Sequence, residues 1–161
     1  MIPLLSKRVV NGEKMYENIK HIVLDYNGTI AKDGILKEDI HSLLEELSQN
    51  YTLHVITADT FGSVKEQISA YKIKLYILKS QDHTQEKKDY LLSLGADMTI
   101  AIGNGNNDAI MLQSAHIGIA VLGDEGCATK ALLESDIVCK NIKDALELPL
   151  HPKRLLATLR V

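Results

Sequence analysis

Asp25 stands between a short apolar run, Ile22-Val23-Leu24, and the turn-forming residues Tyr26-Asn27-Gly28-Thr29. A carboxylate in that position can attack phosphorus or bind a hard cation, and the glycine lets backbone N–H groups approach a phosphate. Taken alone, the stretch reads equally well as a strand followed by an Asn-Gly turn. Two further clusters repeat the pattern of apolar residues running into polar ones: Thr57-Ala58-Asp59, and Gly103-Asn104-Gly105-Asn106-Asn107-Asp108. Phosphoryl transfer needs positioning and charge stabilisation more than covalent chemistry, so a carboxylate, a hydroxyl, an ammonium and a hard cation form a sufficient kit.

These clusters need a scaffold that brings three chain segments to one edge. Strand-like runs cover residues 21–25, 51–57, 73–78, 98–102, 117–122 and 137–139, and helical periodicity falls between them. Residues 36–47 place Ile40, Leu43, Leu44 and Leu47 on one helical face. Val64, Ile68 and Tyr71 outline a second helix, and residues 84–94 a third, with Thr84 as N-cap and Gly95 as its stop. Ala109, Met111 and Leu112 mark a fourth, residues 128–133 a fifth, and the C-terminus is mostly helical with interruptions near Pro149 and Pro152. Strand and helix alternate throughout, which predicts an α/β fold: a doubly wound, mostly parallel sheet in three layers, forming a single domain over residues 1–161. All three clusters then lie at C-terminal strand ends, on the edge where such sheets bind ligands. If the first and fourth strands are neighbours, Asp25 and Asn104 face each other. Residues 1–20 are the least patterned, and Asn11-Gly12 suggests a hairpin or an N-terminal arm there.

Composition narrows the function classes. At 161 residues the chain can bury roughly two thirds of its unfolded surface without disulfides or a structural metal. Cys127 and Cys139 have neither a CxxC nor a zinc-ligand spacing and read as small buried residues of a reducing compartment. A net charge of -3 speaks against a nucleic-acid partner. The opening Met1-Ile2-Pro3-Leu4-Leu5 is too short for a secretory signal, and no apolar run is long enough to span a bilayer, so the expectation is a cytoplasmic protein without a membrane partner. With no Trp and one Phe, the core must be built from Leu, Ile, Val and Ala, as in sheets covered by helices on both faces.

In order, Asp25-Tyr26-Asn27-Gly28-Thr29, Thr57-Ala58-Asp59, a helix-start lysine and Gly103-Asn104-Gly105-Asn106-Asn107-Asp108-Ala109 resemble the four motifs of the haloacid dehalogenase-like phosphotransferases. Wording and spacing resemble most closely the phosphorylation domain of P-type ATPases, without its membrane helices and nucleotide domain. The resemblance spans roughly residues 22–139. It implies that Asp25 forms an aspartyl phosphate and offers an oxygen to Mg²⁺, with the Asn27 carbonyl as another ligand. It further implies that Gly28, Thr57 and Ala58 surround the phosphoryl group, and that a lysine neutralises its charge and restrains Asp25. The P-type spacing to Leu94 points to Lys87, with Lys88 and Lys79 as alternatives. Asn104 and Asp108 would complete the magnesium site, directly or through water.

Two positions depart from the phosphatase pattern. Asn27 replaces the aspartate that serves as general acid and base, help worth roughly 10² to 10⁴ in rate, so hydrolysis is expected to be slow. Asn104 replaces an aspartate of the fourth motif and removes a negative charge from the metal site. The alternative is an attenuated phosphate-binding or regulatory protein. A Rossmann dinucleotide site lacks its third glycine, and a receiver domain lacks the acidic pair before its phosphorylated residue. The segments after the first two motifs are too short for a cap, so the expectation is an open site for a phosphorylated small molecule. As in capless sugar-phosphate phosphatases of similar length, a homo-oligomer, possibly a tetramer, is implied.

The remaining polar residues have plainer readings. His21, His54 and His116 are structural, since no pair has metal-ligand spacing. His83 is a surface residue or a substrate contact, and Asp59 orients the lysine or caps a helix. Asp33 and Asp39 belong to a turn and a solvated face, Thr29 braces the turn, and Tyr26 packs or lines the entrance.

Overall fold

The computed structural model describes residues 18–59 and 62–160, so the expected N-terminal hairpin lies outside the described residues. β1 (His21–Asp25), β4 (Thr52–Thr57), β5 (Ile73–Ile77), β6 (Thr99–Gly103), β7 (Ile117–Val121) and β8 (Ile137–Cys139) form one six-stranded sheet in the order β5-β4-β1-β6-β7-β8. Every neighbouring pair is parallel. The chain builds outward from β1 through β4 to β5, then returns to the other side of β1 with β6. The direction of winding therefore reverses between β1 and β6, which is where an open sheet leaves a crevice at its C-terminal edge. The first and fourth expected strands are indeed neighbours, with Leu24 paired to Ile102.

Helices cover both faces because the central strands are apolar on both. Ile22 and Leu24 point into a layer with Leu44, Leu47, Ala145 and Leu146. Val23 points the opposite way, into a layer with Leu91, Met111, Leu112 and Ala131. On the first face pack α1 (His41–Ser48), α2 (Ser63–Ile68), α6 (Ile142–Leu150) and α7 (Pro152–Leu159); on the second, α3 (His83–Leu94), α4 (Ala109–Ser114) and α5 (Thr129–Glu134). Gly118 in β7 lies against the carbonyl of Leu112, an approach that leaves no room for a Cβ and lets α4 sit close on the sheet. Among the described residues no helix is long and apolar enough to cross a membrane. Burial pushes the Cys139 thiol up to about 11, in keeping with a packed rather than a reactive cysteine.

Several boundaries shift for local reasons. Residues 36–47 are not one helix. Asp33 (φ 50) and Gly34 (φ 84) turn the chain, so that Leu36 belongs to a hairpin of β2 (Ala31–Lys32) and β3 (Ile35–Leu36), and a 3₁₀ turn at Glu38–Ile40 precedes α1. α3 is capped by Asp82, whose carboxylate accepts from the Gln85 N–H, and not by Thr84. Tyr71 falls beyond α2 and packs edge-on against His41. Pro149 sits inside the last turn of α6, its carbonyl accepting the Tyr51 hydroxyl at 3.0 Å, and the break comes at His151 before Pro152 opens α7. Between β1 and β4 the chain holds only the hairpin, the 3₁₀ turn and α1, and the described part between β4 and β5 holds only α2. Among the described residues of these segments there is no cap domain.

Candidate active site

The ends of β1, β4 and β6 open on a cavity of about 650 Å³ lined by Asp25, Asn27, Thr57, Ala58, Lys87, Asn104, Asn107 and Glu125, with Asp33, Asp59 and His83 among the other lining residues. At its floor, Lys87 reaches from the second turn of α3 to three acceptors. Its Nζ lies 3.0 Å from Asp25 Oδ1, 2.8 Å from Asp108 Oδ1 and 3.1 Å from Asn107 Oδ1. The helix is aimed by Glu86, one residue earlier. The Glu86 carboxylate accepts from the backbone N–H groups of Lys79 and Ser80 and from the Tyr76 hydroxyl, tying the start of α3 to the end of β5. These donors hold the Glu86 carboxyl down at about 2. Of the other lysines considered, Lys79 extends over the Tyr76 ring and Lys88 lies half-buried outside the cavity lining.

Burial and the nearby Asp108 carboxylate push the Asp25 carboxyl up to about 7, against the pull of the Lys87 ammonium. Conversely, the two carboxylates raise Lys87 in spite of its burial, so the ammonium stays charged. The lysine thus holds two acids that would otherwise repel each other. Asp25 Oδ2 accepts weakly from the Thr29 hydroxyl at 3.2 Å, and the same hydroxyl lies 3.4 Å from Asn104 Oδ1. Thr29 therefore bridges the first and fourth motifs as well as bracing the turn. Thr57, at the end of β4, uses its hydroxyl to accept from the Asp59 N–H at 3.3 Å. Asp59 accepts from Ser63 and from the Val64 N–H, which places it as a cap of α2.

Two expected roles, those of Gly28 and Asp108, look different in the geometry. The Gly28 N–H donates to the Ala31 carbonyl at 2.8 Å, so that amide is already used within the turn and does not point at a phosphate. What Gly28 provides is space: a Cβ there would meet Glu125 Oε2 at 2.6 Å and Asn104 Nδ2 at 2.7 Å. Asp108 is fully buried and lies outside the cavity lining. Its Oδ1 pairs with Lys87 while its Oδ2 accepts the N–H groups of Asn104 and Gly105, so the carboxylate is held by protein donors in the core, away from the cavity. Asn27 spends its side-chain oxygen on the Gly34 N–H at 2.8 Å, which closes the β2–β3 hairpin together with the Tyr26 hydroxyl bonded to the Gly34 carbonyl.

Among the lining residues not anticipated as site residues are Asn107 and Glu125. Asn107 belongs to the fourth motif and faces inward, one residue before the buried acid, because a 3₁₀ turn at Asn106–Asp108 rotates it toward Lys87. Glu125 lies in the loop after β7, where Gly123-Asp124-Glu125-Gly126 repeats the acid-and-glycine composition of the other strand ends. That composition is the signal by which the sequence could have revealed it.

No protein-family model matches the chain. It is 59% identical over 61 residues to an uncharacterized protein of Methanocaldococcus jannaschii, covering 38% of this chain and 66% of that one. It is 27% identical over 132 residues to the human phospholipid-transporting ATPase ID, covering 77% of this chain and 10% of the ATPase. Identity to the soluble P-type ATPase-like phosphatase of M. jannaschii is 22% over 123 residues, 74% of this chain and 45% of that protein. The chain thus spans less than two thirds of the length of each of these relatives. Among solved structures, a HAD-superfamily (subfamily IIIA) hydrolase of Legionella pneumophila matches with a TM-score of 0.71 at 15% identity, over 97% of this chain and 93% of that one. The 3-deoxy-D-manno-octulosonate 8-phosphate phosphatase of Moraxella catarrhalis, in complex with magnesium, phosphate and KDO, gives 0.70 at 19% identity, over 91% and 96%. The chain has the fold of haloacid dehalogenase-like hydrolases.

A divalent cation at this sheet edge would have to be held by the oxygen donors of the cavity lining. Among the described residues no three His, Cys, Asp or Glu side chains converge as a protein-only cage. Mg²⁺ does not require one, because it keeps several waters and is commonly held by one or two carboxylates. Asp25 and Asn104 supply oxygens joined through Thr29, and four carboxylates line the cavity with one ammonium, at Asp25, Asp33, Asp59, Glu125 and Lys87. Such a surface repels a phosphate dianion unless a cation stands between them. The donor chemistry fits a hard divalent ion.

Proposed function

We propose that this protein is a Mg²⁺-dependent phosphohydrolase or phosphotransferase that passes through an aspartyl phosphate on Asp25. One observation carries the reading: the Lys87 ammonium clamps Asp25 at the crevice between β1 and β6, with the Thr57 hydroxyl and the Asn104 amide on the same sheet edge. The names of the soluble P-type ATPase-like phosphatase and of the octulosonate 8-phosphate phosphatase support the same chemistry. In the reaction, an Asp25 carboxylate oxygen forms a bond to phosphorus as the bond to the leaving oxygen breaks. The leaving oxygen takes its proton from water, because Asn27 has none to give. Lys87 and the Thr57 hydroxyl face the charge that spreads over the phosphoryl oxygens. Asp25, the Asn27 carbonyl and Asn104 would hold Mg²⁺, which offsets the charge of phosphate and carboxylate as they approach. Water then attacks phosphorus as the bond to the Asp25 oxygen breaks, which restores the carboxylate and releases inorganic phosphate, with the proton of the attacking water passing to solvent; without an acid-base residue at position 27 this step is slow.

The substrate is a phosphorylated small molecule, and a sugar phosphate is the class suggested by the neighbouring structures. The uncapped cavity and the exposed Ile35 beside it, 63% accessible on the hairpin, favour covering by a second copy of the chain, as a homo-oligomer. Multi-angle light scattering tests this, and a monomeric mass would refute it. The chemistry is tested with acetyl phosphate and Mg²⁺, followed by intact-mass detection of a phosphoryl adduct, and with p-nitrophenyl phosphate turnover. Both are expected in the native protein and absent in Asp25→Ala; activity that survives the substitution would exclude Asp25. A second reading, a phosphate-binding regulator, is favoured by the commitment of the Asn27 side chain to Gly34. It predicts phosphate binding without any covalent adduct.

A further inference from the structure

We infer that Glu125 supplies the metal site with the negative charge that Asn104 lacks, the carboxylate having moved from the end of β6 to the loop after β7. The inference rests on the proposed function and adds a residue to its cation site. Glu125 Oε2 and Asn104 Nδ2 approach the same point on the α-carbon of Gly28, at 2.6 and 2.7 Å from where a Cβ would stand. Both therefore flank the turn that carries Asp25, and both line its cavity. Glu125 is exposed and makes no hydrogen bond or ion pair with another described residue. It is an unpaired carboxylate on a lining that also carries Asp25, Asp33 and Asp59.

The loop that carries it is fixed. Asn104 Nδ2 donates to the Gly126 carbonyl at 3.2 Å, and the Ala128 N–H donates to the Asn104 carbonyl at 2.8 Å. Lys37 pairs with Asp124 at 2.8 Å, and a Cβ on Gly123 would meet the Gly28 carbonyl at 3.2 Å. The side chain at 104 is thus committed to holding the loop, and only an amide can do so: an aspartate has no proton to offer Gly126. An aspartate there would also add a second anion beside Glu125. Amide at 104 and carboxylate at 125 form a matched pair, and together with Asp25 they give a hard cation two carboxylates, facing open water that can complete its shell.

The test is Mg²⁺ binding by isothermal titration calorimetry, without substrate, on the native protein and on Glu125→Gln, Asp25→Asn and Asn104→Asp/Glu125→Gln. Glu125→Gln is expected to weaken Mg²⁺ roughly 10- to 100-fold, the loss typical of a carboxylate acting through bound water, with an unchanged melting temperature in the absence of metal. The double variant is expected to bind more tightly than Glu125→Gln alone. Equal affinity in the native protein and Glu125→Gln overturns the inference and leaves Asp25 chemistry standing. Failure of the native protein to bind Mg²⁺, or undiminished binding by Asp25→Asn, overturns the inference and the cation site of the proposed function together. A double variant no tighter than Glu125→Gln overturns the exchange between positions 104 and 125.

Discussion

Lys87 Nζ and Asp108 Oδ1 stand 2.8 Å apart in a place where neither side chain keeps appreciable exposure. The acid that closes the glycine motif therefore acts on the lysine and on the N–H groups of Asn104 and Gly105, and through them on Asp25. A buried ion pair of this kind adds little net stability, but removing one member leaves a charge stranded.

Lys87→Met leaves Asp25 and Asp108 facing each other without a counter-charge. The expected cost is about 3 to 5 kcal/mol of folding stability, read from the urea unfolding midpoint and slope, together with loss of the phosphoryl adduct. An unchanged midpoint would show that the pair is not the constraint described here. Full retention of the adduct would remove Lys87 from the phosphoryl site.

Asn27→Asp supplies the missing acid without disturbing the hairpin, because one carboxylate oxygen can still accept the Gly34 N–H that Asn27 now holds at 2.8 Å. The free oxygen then has access to the cavity. Turnover of p-nitrophenyl phosphate is expected to rise, by roughly 10²-fold or more if proton transfer limits the native protein, and the steady-state adduct to fall. Turnover that does not change would place the limiting step elsewhere.

The sheet and its three motif-bearing strand ends were legible because they depend on local pattern. Apolar runs of four to six residues that end in polar clusters have few other meanings in an alternating chain. The P-type resemblance pointed to Lys87 ahead of Lys88 and Lys79, and its Nζ stands 3.0 Å from Asp25 Oδ1. Less legible was anything set by contact between segments distant in sequence. The amide of Asn104 looks like a simple loss of charge until its donation to the Gly126 carbonyl, 22 residues away, is known. Glu125 was missed for the same reason, since only the order β1-β6-β7 brings its loop beside Gly28. Gly28 itself reads as a phosphate cradle in sequence, whereas its N–H is used by Ala31. The hairpin at β2–β3 was hidden by the helical periodicity of residues 36–47, which overrode the turn signal at Asp33-Gly34.

Gly28→Ala and Gly34→Ala separate backbone strain from crowding. Both glycines have positive φ, 81 and 84, so each alanine carries a backbone cost of roughly 1 to 2 kcal/mol. A Cβ on Gly34 meets nothing within 4 Å, whereas one on Gly28 collides with Glu125 and Asn104. Thermal melting is therefore expected to show the larger loss for Gly28→Ala, and calorimetry to show weaker Mg²⁺ binding for that variant alone. Equal melting losses and equal Mg²⁺ affinities in the two variants would mean that the Gly28 contacts are not tight in solution.

The last prediction concerns the opposite end of the sheet. His54 is buried with its Nε2 3.0 Å from His21 Nδ1 and its Nδ1 2.7 Å from the Tyr90 hydroxyl. Burial, His21 and Lys74 push its pKa down to about 4, and His21 is lowered as well. Because the folded value lies below the ordinary 6.5, the unfolded chain takes up a proton first as the pH falls. The contribution of His54 is therefore fully present above pH 6.5, declines as the pH drops below it, and is lost once the pH passes through 4. At pH 5 the loss amounts to about 2 kcal/mol relative to pH 7. His54→Gln keeps a donor and an acceptor but cannot titrate, so its urea stability is expected to fall less than that of the native protein between pH 7 and pH 5. Parallel losses in the two proteins would show that His54 is protonated as readily in the folded as in the unfolded state.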